Sequence, residues 1–210
     1  RCTALTRDTV TSRIRTSTKA MEADRERGRV LRKKRELAYE GTILKVYRDL
    51  VVANGREESW DFIHHDGAAA VVPVLPDGRI LMVRQYRNAL DRFTLELPAG
   101  KVDSPEEPRV LCAFRELSEE TGMRAESPEA LEFLLRIDTT VAFCDEEIDI
   151  FVAQNLLPGE QHLDPDEVID VKAYELSELL TRIERGEIRD AKTVAGLTAY
   201  ALKQSRSNRT

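Results

Sequence analysis

The stretch Gly100–Met123, GKVDSPEEPRVLCAFRELSEETGM, decides the fold of this 210-residue chain. A helix is predicted to start at Pro108, because proline is tolerated in the first helical turn, and to run to Thr121. Gly122 is predicted to end this helix in the left-handed conformation that glycine adopts without steric cost. A helix lying between predicted strands indicates the α/β class.

Three glutamates near the end of this predicted helix are spaced to share one cation. Because a helix advances about 100° per residue, Glu116 and Glu120 lie one turn apart, and Glu119 lies on the adjoining face. Neighbouring carboxylates repel one another unless a positive charge balances them, and Mg²⁺ is a hard cation that prefers their oxygens. A solvated acidic helix face would carry similar residues, so the surrounding sequence has to decide between the two interpretations.

The residues around these glutamates follow a known pattern. Arg115–Met123, RELSEETGM, resembles the second half of the Nudix box, and seven residues separate Glu107 from Arg115, as in that pattern. Six residues rather than five separate Gly100 from Glu107. Counting from Gly100 would select Glu106 instead, which leaves the first glutamate of the box open between these two.

The resemblance extends beyond the box and covers roughly residues 40–200. Over this range the sequence is similar to the ADP-ribose pyrophosphatase branch of the Nudix family. The resemblance rests on the segments VRQYR, LELPAG, FCDEEIDIFVA and GEIRDAKTVAGL. The resemblance implies hydrolysis of ADP-ribose to AMP and ribose 5-phosphate with Mg²⁺, or alternatively Mn²⁺, as cofactor. It also implies an α/β/α sandwich with a mixed sheet, preceded by a β-hairpin module that forms a homodimer.

The same resemblance assigns roles to individual residues of the box. Glu116 and Glu120 would bind the metal, Glu119 would join them when a further ion binds, and the backbone carbonyl of Ala99 would supply another ligand. Arg115 would hold the glutamates in place by charge-assisted hydrogen bonds.

Residues outside the box are assigned to the substrate and to the attacking water. Arg87 would bind the phosphates, with Arg84 as a second candidate, and Glu96 matches an acidic position close to the metals. Trp60 would stack on the adenine, although a core or dimer contact is an equally good interpretation for a lone tryptophan. In this branch a glutamate from a late loop acts as the base, which here is Glu167, with Asp166 as the alternative.

One departure bears on the choice of substrate. The branch usually carries Ser-Pro-Gly-Phe after the box, where this chain has Thr140-Val141-Ala142-Phe143. The alternatives are therefore another nucleoside diphosphate sugar, such as GDP-mannose or ADP-glucose, and a domain that senses ADP-ribose without hydrolysing it. A pyrophosphohydrolase acting on RNA 5′ ends is disfavoured by the acidic body of the chain.

The remaining elements are predicted from hydrophobic patterning. A charged helix is expected over Glu22–Leu37, and a β-hairpin over residues 42–64 with its turn at Asn54-Gly55. Late helices are expected behind the caps Ser177 and Asp190. Further strands are expected at Gly67–Leu75, Arg79–Arg87, Ala130–Ile137, Glu147–Ala153 and Val168–Tyr174.

Charge and composition suggest a division of the chain. Residues 1–36 hold 12 Lys and Arg against 5 Asp and Glu, whereas the rest holds 20 against 33. We expect a basic extension at 1–36, the hairpin dimerisation module at 37–65 and the Nudix domain at 66–210. The first 20 residues are interpreted either as a leader or as residues added to the natural protein. Three scattered cysteines and no apolar run of membrane length predict a cytoplasmic protein without membrane partners. A basic extension is compatible with nucleic-acid contact, but a solvated segment is the favoured interpretation, so no nucleic-acid partner is expected.

Overall fold

The computed structural model describes residues 30–42, 44–163, 165 and 168–207. The chain divides into two compact units, Arg1–Ile63 and His64–Thr210. Each unit has its own sheet structure. Among the described helices, none combines the length and the apolar character that crossing a membrane requires.

The first unit is built on a three-stranded sheet with the order β1-β2-β3. Asn54 and Gly55 both have positive φ angles, 53° and 78°, in the two-residue turn between β2 and β3. This confirms the predicted hairpin, because only residues tolerant of positive φ suit such a turn. The strands are β1 (Val30–Glu40), β2 (Lys45–Ala53) and β3 (Arg56–His64).

The expected helix over Glu22–Leu37 is wrong from Val30 onward, where β1 forms instead; residues 22–29 lie outside the described residues. The strand pairs antiparallel with β2 along its length, and it crosses the expected boundary at residue 36. Arg35 donates two hydrogen bonds of 2.7 Å to Asp49, and its guanidinium lies 3.7 Å above the ring centre of Phe62. Pairing with β2 therefore overrides the helix preference of the local sequence.

The second unit contains nine strands and three helices within its described residues. One sheet has the order β7-β4-β10-β9, a second has the order β12-β5-β6, and β11 pairs with β8. Strands β4 and β10 run parallel while the other pairs are antiparallel, which confirms the mixed sheet. The strands are β4 (Ala68–Pro73), β5 (Ile80–Arg87), β6 (Arg92–Glu96), β7 (Ala99–Lys101), β8 (Met123–Arg124), β9 (Glu132–Asp138), β10 (Glu147–Ala153), β11 (Leu157–Pro158) and β12 (Ile169–Tyr174).

Helices cover both faces of the sheet that contains β4. They are α1 (Arg109–Thr121), α2 (Leu176–Glu184) and α3 (Ala191–Ser207). Alternate side chains of β4 belong to two separate cores: Val71 packs with Leu117 of α1, and Val72 packs with Leu197 of α3. All six residues of β4 are buried, as expected for a strand covered on both faces. This arrangement confirms the α/β/α sandwich.

The helix ends agree with the predicted caps except at one position. Gly122 has a φ of 67° and donates its N–H to the carbonyl of Ser118, as expected. Asp190 caps α3, because its Oδ2 accepts the N–H of Thr193 at 3.0 Å. The cap predicted at Ser177 is wrong: Ser177 already lies inside α2, whose cap position is Glu175. No side chain caps this turn, so the sequence carries no cap signal for its true start.

Candidate active site

The end of α1 meets the short strand β7 at two glutamates. Glu120 is almost fully buried, and its Oε2 accepts the backbone N–H of Ala99 at 3.0 Å. The carboxylate of Glu116 lies so close to Gly100 that a Cβ at that position would overlap it. The absence of a side chain at Gly100 therefore leaves the space that the Glu116 carboxylate occupies.

Arg115 bridges two of the box glutamates. Its Nη1 donates to Glu116 Oε1 at 2.7 Å and to Glu119 Oε2 at 2.9 Å, and its Nη2 donates to the carbonyl of Lys101 at 3.2 Å. Burial alone would lower the pKa of Arg115, but the charge of Glu116 and the hydrogen bond to Glu119 raise it above its usual range. The guanidinium thus remains a fixed positive charge between the two carboxylates.

Glu107, and not Glu106, lies beside this arginine. Glu107 Oε1 is 3.7 Å from Arg115 Nε, and its Oε2 accepts the N–H of Asp103 at 2.7 Å. Glu106 is exposed. The extra residue of the loop is therefore accommodated before Glu107, which keeps its seven-residue spacing to Arg115.

The glutamates of α1 are balanced by hydrogen-bond donors in this structure. Among the described residues, no three His, Cys, Asp or Glu side chains converge in an arrangement that could hold a metal ion. The possible metal ligands near the contact of α1 with β7 are nevertheless all oxygens. They are the carboxylate oxygens of Glu116, Glu119 and Glu120 and the oxygens of backbone carbonyls. Such hard oxygen ligands fit Mg²⁺, because soft or nitrogen ligands are not needed for it.

Arg87 and Glu96 form a second pair of site residues. Arg87 donates to both oxygens of Glu96, from Nε at 2.8 Å and from Nη2 at 2.6 Å. The pKa of Arg87 is raised, first by this hydrogen bond and also by the nearby charges of Glu120 and Asp190. The pair therefore belongs to the same electrostatic environment as the box helix.

Of the other predicted residues, Arg84 has different partners within the second unit. Arg84 donates to Asp170 at 3.1 Å, and its guanidinium lies 3.8 Å above the ring centre of Phe93. Trp60 belongs to β3 in the first unit and is half-exposed. Glu167 and Asp166 lie outside the described residues.

Two residues that the sequence interpretation missed contact the cluster. Lys192 donates to Glu96 and is almost fully buried. Its signal in the sequence is its spacing, since Lys192, Gly196 and Tyr200 follow one another at four-residue intervals on the buried face of α3. Gln161 donates from Nε2 to the backbone carbonyl of Glu120 at 2.6 Å, and no local pattern marks it.

Comparison with known protein families identifies the class to which this fold and this cluster of side chains belong. The family model described as the NUDIX domain matches residues 64–197. The chain belongs to the Nudix family.

Particular relatives agree with this assignment. The chain is 35% identical over 174 residues to an ADP-ribose pyrophosphatase of Bacillus subtilis, covering 81% of this chain and 92% of the relative. It is 37% identical over 175 residues to a methanol dehydrogenase activator of Bacillus methanolicus, covering 82% and 92%. A crystal structure of an ADP compounds hydrolase superposes with a TM-score of 0.75 at 21% identity, covering 87% of this chain and 97% of that one, which confirms the fold.

Proposed function

We propose that this chain hydrolyses the diphosphate bond of ADP-ribose to AMP and ribose 5-phosphate, with Mg²⁺ as its cofactor. The observation that carries the proposal is the contact of α1 with β7, where Glu120 and Glu116 lie against the Ala99–Gly100 backbone and Arg115 links Glu116 to Glu119. The choice of substrate is supported by the relative from Bacillus subtilis that is named an ADP-ribose pyrophosphatase.

Glu116, Glu119, Glu120 and the carbonyl of Ala99 would hold the metal. When bound, Mg²⁺ would neutralise charge on the diphosphate oxygens and activate a water, and Mn²⁺ is the alternative ion. The residues present fit this role, because all of these ligand atoms are oxygens. Arg115 orients two of the carboxylates through hydrogen bonds of 2.7 Å and 2.9 Å.

The remaining chemistry falls to two other side chains. Arg87 binds the diphosphate, since a guanidinium matches phosphate oxygens with two parallel donors. Glu167 accepts a proton from the attacking water, whose oxygen forms the new bond to phosphorus while the bridging oxygen leaves with the other product. Asp166 is the alternative base in this segment.

We further propose that the protein is a cytoplasmic homodimer formed through the first unit. Large apolar side chains of this sheet are exposed, namely Val30, Leu31, Leu37, Tyr39 and Trp60. Exposed apolar side chains gathered in one small unit favour association with another surface. Both described cysteines are free thiols, which suits a reducing compartment. Sedimentation of the intact chain tests the oligomeric state.

A substrate panel tests the proposed reaction. ADP-ribose, ADP-glucose and GDP-mannose are incubated with the enzyme in Mg²⁺, in Mn²⁺ and in EDTA, and release of the nucleoside monophosphate is measured. We expect ADP-ribose to give the highest kcat/KM and EDTA to abolish turnover. Binding of ADP-ribose without any hydrolysis would instead identify a sensing domain. A higher kcat/KM for ADP-glucose or GDP-mannose would replace ADP-ribose as the assigned substrate. This outcome bears on Val141, which stands where the ADP-ribose pyrophosphatase branch usually has a proline.

A further inference from the structure

Glu96 is a buried carboxylate that two cations share. Arg87, at the end of β5, donates to both of its oxygens, and Lys192, in α3, donates to Oε2. The hydroxyl of Thr94 adds a hydrogen bond of 2.5 Å to Oε1. One buried carboxylate therefore has two positive partners, which approach it from different elements.

The two cations differ in how firmly they are held. The Lys192 side chain is 9% exposed and also donates to Asp190 at 3.0 Å. Asp190 is itself fixed as the cap of α3, because the same oxygen accepts the N–H and the hydroxyl of Thr193. The Arg87 side chain is 38% exposed, and the described contacts show hydrogen bonds from it to Glu96 alone. Arg87 is thus the partner that can move.

Departure of Arg87 would be costly if Glu96 had no other cation. An unpaired carboxylate in a buried position loses its hydration without compensation. Burial raises the pKa of Glu96, but the hydrogen bonds from Arg87 and the charge of Lys192 outweigh this effect and hold the pKa at about 2. When Arg87 leaves, Lys192 is the cation that still contacts this buried carboxylate.

We propose that Lys192 is a positioning residue that keeps Glu96 paired, so that Arg87 can turn from Glu96 to the diphosphate of the substrate. The inference rests on the proposed function in one respect, which is that Arg87 binds phosphate. Lys192 does not touch the substrate in this scheme. It lowers the free-energy difference between Arg87 bound to Glu96 and Arg87 bound to phosphate.

The unaltered protein gives the first test. Side-chain ¹⁵N resonances of Arg87 Nε and Lys192 Nζ are recorded in EDTA while inorganic pyrophosphate is added. We expect two changes at Arg87 Nε, in its ¹⁵N chemical shift and in the rate at which its proton exchanges with water. The Lys192 Nζ signal is expected to keep the chemical shift of an ion-paired ammonium. An Arg87 signal that does not respond, or a Lys192 signal that moves with it, overturns the proposal.

Variants give the second test through KM and kcat for the hydrolysed member of the substrate panel. Lys192→Met leaves Glu96 with Arg87 alone, so KM is expected to rise about 10-fold or more while kcat changes by less than about 3-fold, as for a loss of binding. Lys192→Arg restores the second cation and is expected to return KM toward the wild-type value. Lys203→Met removes a partly exposed lysine of the same helix that pairs with Glu132, and serves as the charge-matched control without effect.

A double variant separates the action through Glu96 from a general loss of positive charge. Glu96→Gln removes the carboxylate that retains Arg87, so adding Lys192→Met to it is expected to change KM little further. If the two changes multiply, Lys192 acts on phosphate directly and the proposal is wrong. If pyrophosphate moves Arg87 but no panel compound is hydrolysed, the proposed function fails while the role of Lys192 stands. If hydrolysis occurs and Arg87 stays on Glu96, only the role of Lys192 fails.

Discussion

The carboxylate of Glu116 occupies the space where a side chain at Gly100 would begin. The obstacle that an added Cβ would meet is the end of a flexible side chain and not backbone, so a substitution displaces the glutamate and leaves the strand in place. A substitution at Gly100 should therefore lower turnover without lowering the stability of the fold.

Gly100→Ala is expected to lower turnover by about 10²-fold or more while changing the melting temperature little, because it moves a metal-binding carboxylate without burying a polar group. Turnover in Mg²⁺ and the melting temperature are the two measurements. Gly78→Ala is the matched control: Gly78 has a φ of 87° in the β4–β5 turn with open space around it, so stability should fall by about 1 kcal/mol and activity should persist. A Gly100→Ala enzyme with wild-type turnover would contradict the assignment of Glu116.

Glu120→Gln tests the second carboxylate at the same contact. The amide oxygen of glutamine can still accept the N–H of Ala99, so we expect the fold to persist. Loss of the charged ligand should reduce kcat at least about 100-fold, since even partners of metal ligands cost 10–100-fold when removed. Turnover across a Mg²⁺ titration measures this effect, and near-wild-type rates at ordinary Mg²⁺ concentrations would disprove the role of Glu120.

Glu167→Gln tests the base that the sequence resemblance assigns. We expect kcat to fall by roughly 10²–10⁴-fold with little change in KM, because a general base acts mainly in the transition state. Asp166→Asn is the control from the neighbouring position and should have a small effect. A larger loss in the aspartate variant would transfer the role to Asp166, and two harmless substitutions would exclude this segment as the source of the base.

Acid titration tests the pairing of Glu96. Its pKa is lowered from 4.5 to about 2, so the folded state binds the proton less readily than the unfolded state. The stabilisation is therefore fully present above about pH 4.5 and is lost as the pH falls toward 2, by an amount on the order of 3 kcal/mol. Glu96→Gln should be less stable at pH 7 and yet lose less stability across this window. Denaturant unfolding at a series of pH values measures both, and parallel pH profiles for the two proteins would argue against the buried ion pair.

The sequence predicted the elements whose local signals and tertiary roles agree. Asn54-Gly55 adopts the positive φ angles that a two-residue hairpin requires, and Gly122 ends α1 as glycine commonly does. The buried strand β4 follows from its uninterrupted apolar run, which suits a strand covered on both faces. Helical spacing placed the three box glutamates on adjoining positions, and the resemblance to the Nudix box assigned them to a metal, an assignment that stays a prediction.

The tertiary structure decided the rest through partners distant in sequence. Val30–Glu40 is rich in Arg, Lys and Glu and favours a helix locally, yet it is a strand because β2 offers a ladder of hydrogen bonds and Asp49 an ion-pair partner. Only the resemblance ranked Arg87 above Arg84 within VRQYR. In the structure, alternate side chains of the strand point to opposite faces, so these two arginines meet different acids, Glu96 and Asp170. Lys192 is an ordinary helix lysine in the sequence, and only the fold brings it to Glu96 at the end of β6. A sequence fixes which charges are present, whereas burial and pairing, which set their energies, arise only when the chain is folded.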